Sequence, residues 1–134
     1  MSEEWESEQY TNEQLFDKRY TLYTLEDLLG SLPVGEANLK FQPGVIKVYS
    51  EARMVLTRQE KSWREYVLRH LQGDWGTVTP TNKSENEAAL TSGTGEIISS
   101  HCVISDANAA DGKEGILSVI THLDGGFTQV VTPW

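Results

Sequence analysis

Cysteine is almost missing from this chain. Cys102 is the single one in 134 residues, which excludes an intrachain disulfide framework and makes a reducing cytoplasm the simplest setting. Long apolar runs are missing too. No stretch approaches the ~20 residues that a membrane-spanning helix needs. The opening Met-Ser-Glu-Glu-Trp-Glu has neither the basic start nor the apolar core of a secretory signal. Hydrophobic residues make up 38%, below the usual level for a compact domain, so part of the chain is expected outside the packed core. The length suits one domain with a modest core.

What is abundant is negative charge, unevenly placed. The net charge is −9. Residues 1–27 hold eight acids (Glu3, Glu4, Glu6, Glu8, Glu13, Asp17, Glu26, Asp27) against Lys18 and Arg19. Residues 40–72 hold seven cations (Lys40, Lys47, Arg53, Arg58, Lys61, Arg64, Arg69) against Glu51, Glu60 and Glu65. This asymmetry lets an acidic arm fold back on a basic middle, or meet partners of either sign. The plainer reading is a solvated tail beside an ordinary charged helix.

The pattern divides the chain into an arm, residues 1–42, and one α+β domain, residues 43–134. Residues 1–12 are polar and acidic enough to be disordered. Trp5 and Tyr10 are unusual in a purely solubilising tail, and with Phe16 and Tyr20 they are candidate anchors for a protein partner. A helix is expected over 13–29. A start signal also stands at Thr24, with Glu26 and Asp27 behind it, and Gly30 ends the segment. In "VIKVYSEARMVL" (45–56) the first half favours a strand and the second a helix, and the balance is read as helix. Residues 58–72 are the clearest helix. Trp63, Tyr66, Val67, His70 and Leu71 make one apolar stripe, and Lys61, Glu65 and Arg69 can form ion pairs on another face. A short helix over 83–91, capped by Asn82 or Ser84, runs to Gly93.

The remainder reads as β. Strands are expected over 96–104, 116–123 and 127–132, the last two joined at Asp124-Gly125-Gly126. Leu117, Val119, Thr121 and Leu123 share one face, and Ile116, Ser118, Ile120 and His122 the other. The fold expected is thus a three-stranded antiparallel meander covered chiefly by helix 58–72. The other sheet face has two candidate covers, helix 13–29 or a second copy of the chain.

Few constellations invite chemistry. His70 and Asp74 could pair for acid–base work. The structural reading is preferred: His70 continues the stripe, Gly73 closes the helix, Asp74 accepts turn amides, and Trp75 buries its ring. His101, Cys102, His122 and Asp124 lack any zinc-type spacing, and adjacent His101 and Cys102 point to opposite strand faces, so no metal is expected. Ser99, Ser100 and Cys102 have no dedicated base or strained elbow around them. "TSGTGE" lies before a strand, the reverse of the order a phosphate loop needs. Glu60 and Glu65 interrupt the basic segment, so nucleic-acid binding is not expected. No cofactor is expected either.

Residues 60–134 resemble the small bacterial "plasmid-related protein" family. The shared pattern is His70-x-x-Gly73-Asp74-Trp75-Gly76, then Asn86, Ala89, Leu90 and Gly93. Ile97-Ile98-Ser99 resembles the family's opening strand, and Ile120-Thr121, Asp124, Thr128, Val130 and Pro133 its closing hairpin. The chain departs from the pattern at His122, where a glutamate is usual, and near Gly125, where an arginine is usual. Its turn over 106–115 is longer and its arm over 1–42 looks like an addition. The resemblance implies a mobile-element or accessory setting and supplies no reaction. The resulting expectation is a non-catalytic protein that binds a protein partner. The alternatives are an anti-defence inhibitor with an acidic surface, and a hydrolase using His70 and Asp74.

Overall fold

Thr24 splits the expected 13–29 helix. In the computed structural model, which describes residues 20–103 and 115–132, Tyr20–Tyr23 is a strand (β1) and Leu25–Leu29 a short helix (α1). Thr24 accepts from the Asp27 amide while the Asp27 carboxylate accepts from the Thr24 amide, a closed capping box that fixes where the helix starts. The Thr24 signal therefore holds, and the expected helix does not run through Tyr20–Tyr23; its first part, 13–19, and the tail expected over 1–12 lie outside the described residues. The aromatic run Tyr-Thr-Leu-Tyr goes to the sheet, where its rings find cross-strand partners.

The second correction concerns residues 45–56. Val45–Tyr49 is a strand (β2), and Ser50–Arg58 is a helix (α2) that follows it directly. Trp63–Leu71 is the next helix (α3), shorter than the expected 58–72, with Ser62 capping the Arg64 amide. Arg58 belongs to α2, and Lys61 lies before α3, so of the expected ion pairs only Glu65–Arg69 forms, at 3.9 Å. Pro80–Ser92 (α4) starts three residues before the expected site. Thr79 caps it and Pro80 takes the first turn, where a missing N–H is harmless.

Three further strands, Glu96–Cys102 (β3), Ile116–His122 (β4) and Phe127–Val131 (β5), pair antiparallel in sequence order, as the meander requires. The sheet is larger than the meander. It has five strands in the order β1-β2-β5-β4-β3, with β2 and β5 parallel. The architecture is α+β, a five-stranded mixed sheet with four helices.

All four helices serve one side or one edge. Ile46 and Val48 of β2, Leu117 and Val119 of β4 and Val130 of β5 form one buried cluster with Ala52, Leu56, Trp63, Tyr66, Val67 and Leu71. Leu28 and Leu29 of α1 join it, and Tyr23 stacks on Trp63 with ring centroids 4.4 Å apart. Residues 20–29, counted with the arm in sequence, are thus part of the same core. Among the described residues, no helix is long and apolar enough to cross a membrane.

Candidate functional site

The Gly-Asp-Trp-Gly segment sits between the end of α3 and the free edge of β3. Gly73 turns out of the helix at φ +93°, and the Asp74 amide donates to the Arg69 carbonyl. One Asp74 oxygen accepts from Arg69 Nε at 2.8 Å and the other from the Gly76 amide at 3.2 Å. The Arg69 hydrogen bond holds the Asp74 carboxyl below the usual carboxylate range. The chain then runs alongside β3. The Ser100 amide donates to the Trp75 carbonyl, and the Thr77 amide to the Ser100 carbonyl. Gly76, at φ +68°, faces Ser100 so closely that a Cβ there would overlap the Ser100 carbonyl oxygen. Only glycine meets both demands. Trp75 is 8% exposed and packs with Ala89, Ile97, Phe41, Val78, Leu90 and Leu123.

Asn86 closes the rest of that edge. The Asn86 side chain is 1% exposed; its Nδ2 donates to the Ile98 carbonyl at 2.8 Å and its Oδ1 accepts from the Ile98 amide at 2.9 Å. The amide side chain imitates a neighbouring strand. Together, Asn86 and residues 75–77 occupy the Ile98 and Ser100 groups that the middle of an open edge would offer to another chain. Asn86→Leu leaves both Ile98 groups without their partner, at a cost of about 2–3 kcal/mol. Denaturant titration of that variant against Asn86→Gln reads the loss, and an unchanged midpoint contradicts the clamp.

His70 is fully buried and belongs to a second polar chain. Its Nδ1 meets Ser99 Oγ, its Nε2 lies 2.9 Å from Thr121 Oγ1, Thr121 Oγ1 lies 2.7 Å from Thr128 Oγ1, and Thr128 donates to the Pro43 carbonyl at 2.8 Å. A carbonyl can only accept, so the proton order follows from that end. Thr128 gives its proton to Pro43, Thr121 gives its own to Thr128, and Nε2–H donates to Thr121. Nδ1 is then the acceptor from Ser99, and the imidazole is neutral. Burial is the main cause pushing the His70 pKa down to about 3, and nearby His101 adds to it. His70 and Asp74 therefore have separate roles: His70 is sealed between α3 and strands β3 and β4, and Asp74 is an exposed partner of Arg69.

The other histidines do not assemble. His101 is 2% exposed, lies against Tyr66 at 5.5 Å, and finds no hydrogen-bond partner for either nitrogen among the described residues. Burial lowers its pKa to about 4. His122 is on the opposite sheet face, stacked on Phe127 at 4.4 Å, with Glu96 at 3.1 Å and Gln129 at 2.7 Å. Cys102 is exposed. Among the described residues no three His, Cys, Asp or Glu side chains are placed to hold a metal ion.

Two surfaces remain. The sheet face away from the helices carries Tyr20, Leu22, Val45, Tyr49, Phe127 and Ile120, and none of them belongs to either buried cluster. Leu22 is 57% and Val45 44% exposed. Lys47 lies 4.3 Å over the Phe127 ring and 5.2 Å from the Tyr20 ring, and Gln129 donates to the Tyr49 hydroxyl. Tyr20, one of the four expected partner anchors, is on this face, its ring 5.1 Å from that of Tyr49. Trp5, Tyr10 and Phe16 lie outside the described residues. The second surface is a shallow groove of about 420 Å³ along α2, lined by Ser50, Arg53, Met54, Thr57 and Arg58. The hydroxyl partners of His70 escaped the sequence reading. The available signal was two threonines at core-facing positions of neighbouring strands, Thr121 opposite Thr128. Compared with protein-family models, with curated proteins and with solved structures, the chain has no match.

Proposed function

We propose that this is a non-catalytic interaction protein whose sheet face away from the described helices binds a protein partner, in the mobile-element or accessory setting that the family resemblance implies and in the cytoplasm that the single cysteine suits. One observation carries the reading. Among the described residues, the helices pack their apolar residues onto one sheet face, and the other face presents aromatic and aliphatic side chains with Leu22 and Val45 exposed. A contiguous apolar surface of this kind marks an interaction site. A hydrolase reading draws no support from His70 and Asp74, since one is sealed and the other engaged by Arg69. The acidic-mimic reading draws less support as well. Residues 20–103 and 115–132 hold eleven acids against eight Lys and Arg, so most of the excess charge lies outside them.

The test is capture from the native host, using full-length protein and the variant Leu22→Lys/Val45→Lys. Both positions are exposed, so the fold is retained. A stoichiometric partner recovered with the parent chain and lost with the variant supports the reading. Equal recovery with both rejects the sheet face. A concentration-dependent dimer that the variant abolishes makes the partner a second copy of the chain.

A further inference from the structure

The outer side of α2 is basic. Arg53, Met54, Thr57 and Arg58 recur there at helical spacing, and Met54 is 52% exposed among them. A second depression of about 310 Å³ continues past the end of the helix to Lys61. Glu51 and Glu60, the acids nearest in sequence, line neither depression. Among the described residues no carboxylate lies within 4.0 Å of Arg53, Arg58 or Lys61. The result is a cationic ridge around an exposed thioether, on a chain whose net charge is −9.

The far end of the sheet carries the complement. A depression of about 550 Å³ lies between α4 and the edge of β3. Small residues line it, Ala88, Ala89, Ser92 and Gly95 among them, and its charge comes from Glu85 of α4 and Glu96 of β3. No Lys or Arg lines it. Among the described residues Glu85 has no cation within 4.0 Å, and Glu96 has His122 at 3.1 Å. Ridge and groove cannot meet within one chain. α2 packs on β2 through Ala52 and Leu56, and its Arg53 donates to Thr21 and Tyr23 of β1. α4 lies against β3. In the order β1-β2-β5-β4-β3 these strands stand at opposite ends, and the four strand spacings from β1 to β3 amount to ~19 Å.

We propose that a second copy of this chain is the occupant of the groove. The α2 ridge of one protomer enters the α4–β3 groove of its partner, with Met54 against the small residues and with Arg53, Arg58 and Lys61 facing Glu85 and Glu96. A flexible thioether adapts to such a floor, and the charges at its flanks are of opposite sign to those of the groove. The contact is made by side chains and adds no strand, since Asn86 already holds the Ile98 backbone groups. Each copy presents a ridge at one end and a groove at the other. The association is therefore head-to-tail, leaves one of each free, and grows beyond two chains. This goes beyond the sheet-face reading and does not depend on it, because neither Leu22 nor Val45 takes part.

Sedimentation velocity on the full-length protein, over a wide range of concentration, tests the proposal. The weight-average mass is expected to rise past that of two chains, and added salt to lower it. Arg58→Glu/Lys61→Glu reverses the ridge and Glu85→Lys/Glu96→Lys the groove, all at exposed positions, so both variants fold. Each alone is expected to weaken association by more than about tenfold, because it sets like charges against each other. Mixed in equal amounts, the two recover much of it, since the reversed ridge of one fits the reversed groove of the other. A parent chain that stays monomeric overturns the proposal, as does a mass that stops at two chains. So does association that survives either charge reversal, or a mixture that fails to recover. Association lost in Leu22→Lys/Val45→Lys and kept in both charge variants overturns it too, because the contact then belongs to the sheet face.

Discussion

Lowering the pH from 7 to 4 removes on the order of 5 kcal/mol of folding stability from this protein. The cause is two buried neutral histidines. His70 and His101 titrate at about 3 and 4 in the folded chain, against an ordinary value of 6.5. Both shifts are downward, so between these values the unfolded chain binds more protons than the folded one. Stability is then fully present above pH 6.5 and falls as the pH drops toward 4, at up to ~2.7 kcal/mol per unit where both sites differ. The loss is comparable with the whole stability of a small domain, so the chain is expected to be close to unfolding at pH 4. Urea titrations at half-unit steps measure the slope directly. His101→Leu is expected to halve it. Because neither His101 nitrogen has a partner among the described residues, that variant loses no hydrogen bond and is as stable as the parent, or more so, at pH 7. A slope below one proton over pH 4–6 contradicts the neutral assignment of His70.

Trp75→Ala is expected to cost about 3–5 kcal/mol, the range for removing a large buried aromatic side chain. The indole is the largest side chain of the smaller cluster, with Ala89 and Ile97 buried beside it, and α4 and β3 meet over it. Its loss also loosens the main-chain bridge by which residues 75–77 cover β3, since the ring is what holds that segment down. Trp75→Phe keeps most of the contact and is expected to cost less than half as much. Guanidinium titration at pH 7 separates the two. Equal losses for both variants place the effect in the indole rather than in its bulk. A Trp75→Ala variant with the parent midpoint removes the anchor role altogether.

The elements that sequence made legible are those whose signal is local. The α3 stripe repeats every three or four residues, and all five of its expected apolar positions are buried. β4 alternates, and its Leu117, Val119 and Thr121 do face the core. The misread elements share a different property. β1 is four residues long and sits within a pattern that also tolerates a helix, and only pairing with β2 decides it. The β2–α2 boundary has no side-chain cap, so nothing in the local sequence marks Tyr49 as the last strand residue. At the site, the burial of His70 follows from its place on the stripe. Its link to Ser99, Thr121 and Thr128 spans separations of 29, 51 and 58 residues and depends on strand order. The Asn86 clamp is likewise invisible until α4 is laid on the edge of β3. Trp75 was readable as an anchor because a large apolar ring within a Gly-Asp-Trp-Gly turn has few other uses.

The position of β5 in the sheet has a consequence for how the chain assembles. It is the last described strand in sequence, and it lies in the middle, between β2 and β4. Until residues 127–131 arrive, β1 and β2 form one ribbon and β3 and β4 another, with no strand to join them. The Ile46–Thr128 pairing closes a loop of about eighty residues, an entropic cost that local helix formation does not meet. A nascent chain that stops short of Phe127 therefore exposes two unpaired strand edges at once, and its natural fate is to find another chain rather than its own fold. Completion of the sheet is the step that makes this molecule singular, and it waits for the fifth strand.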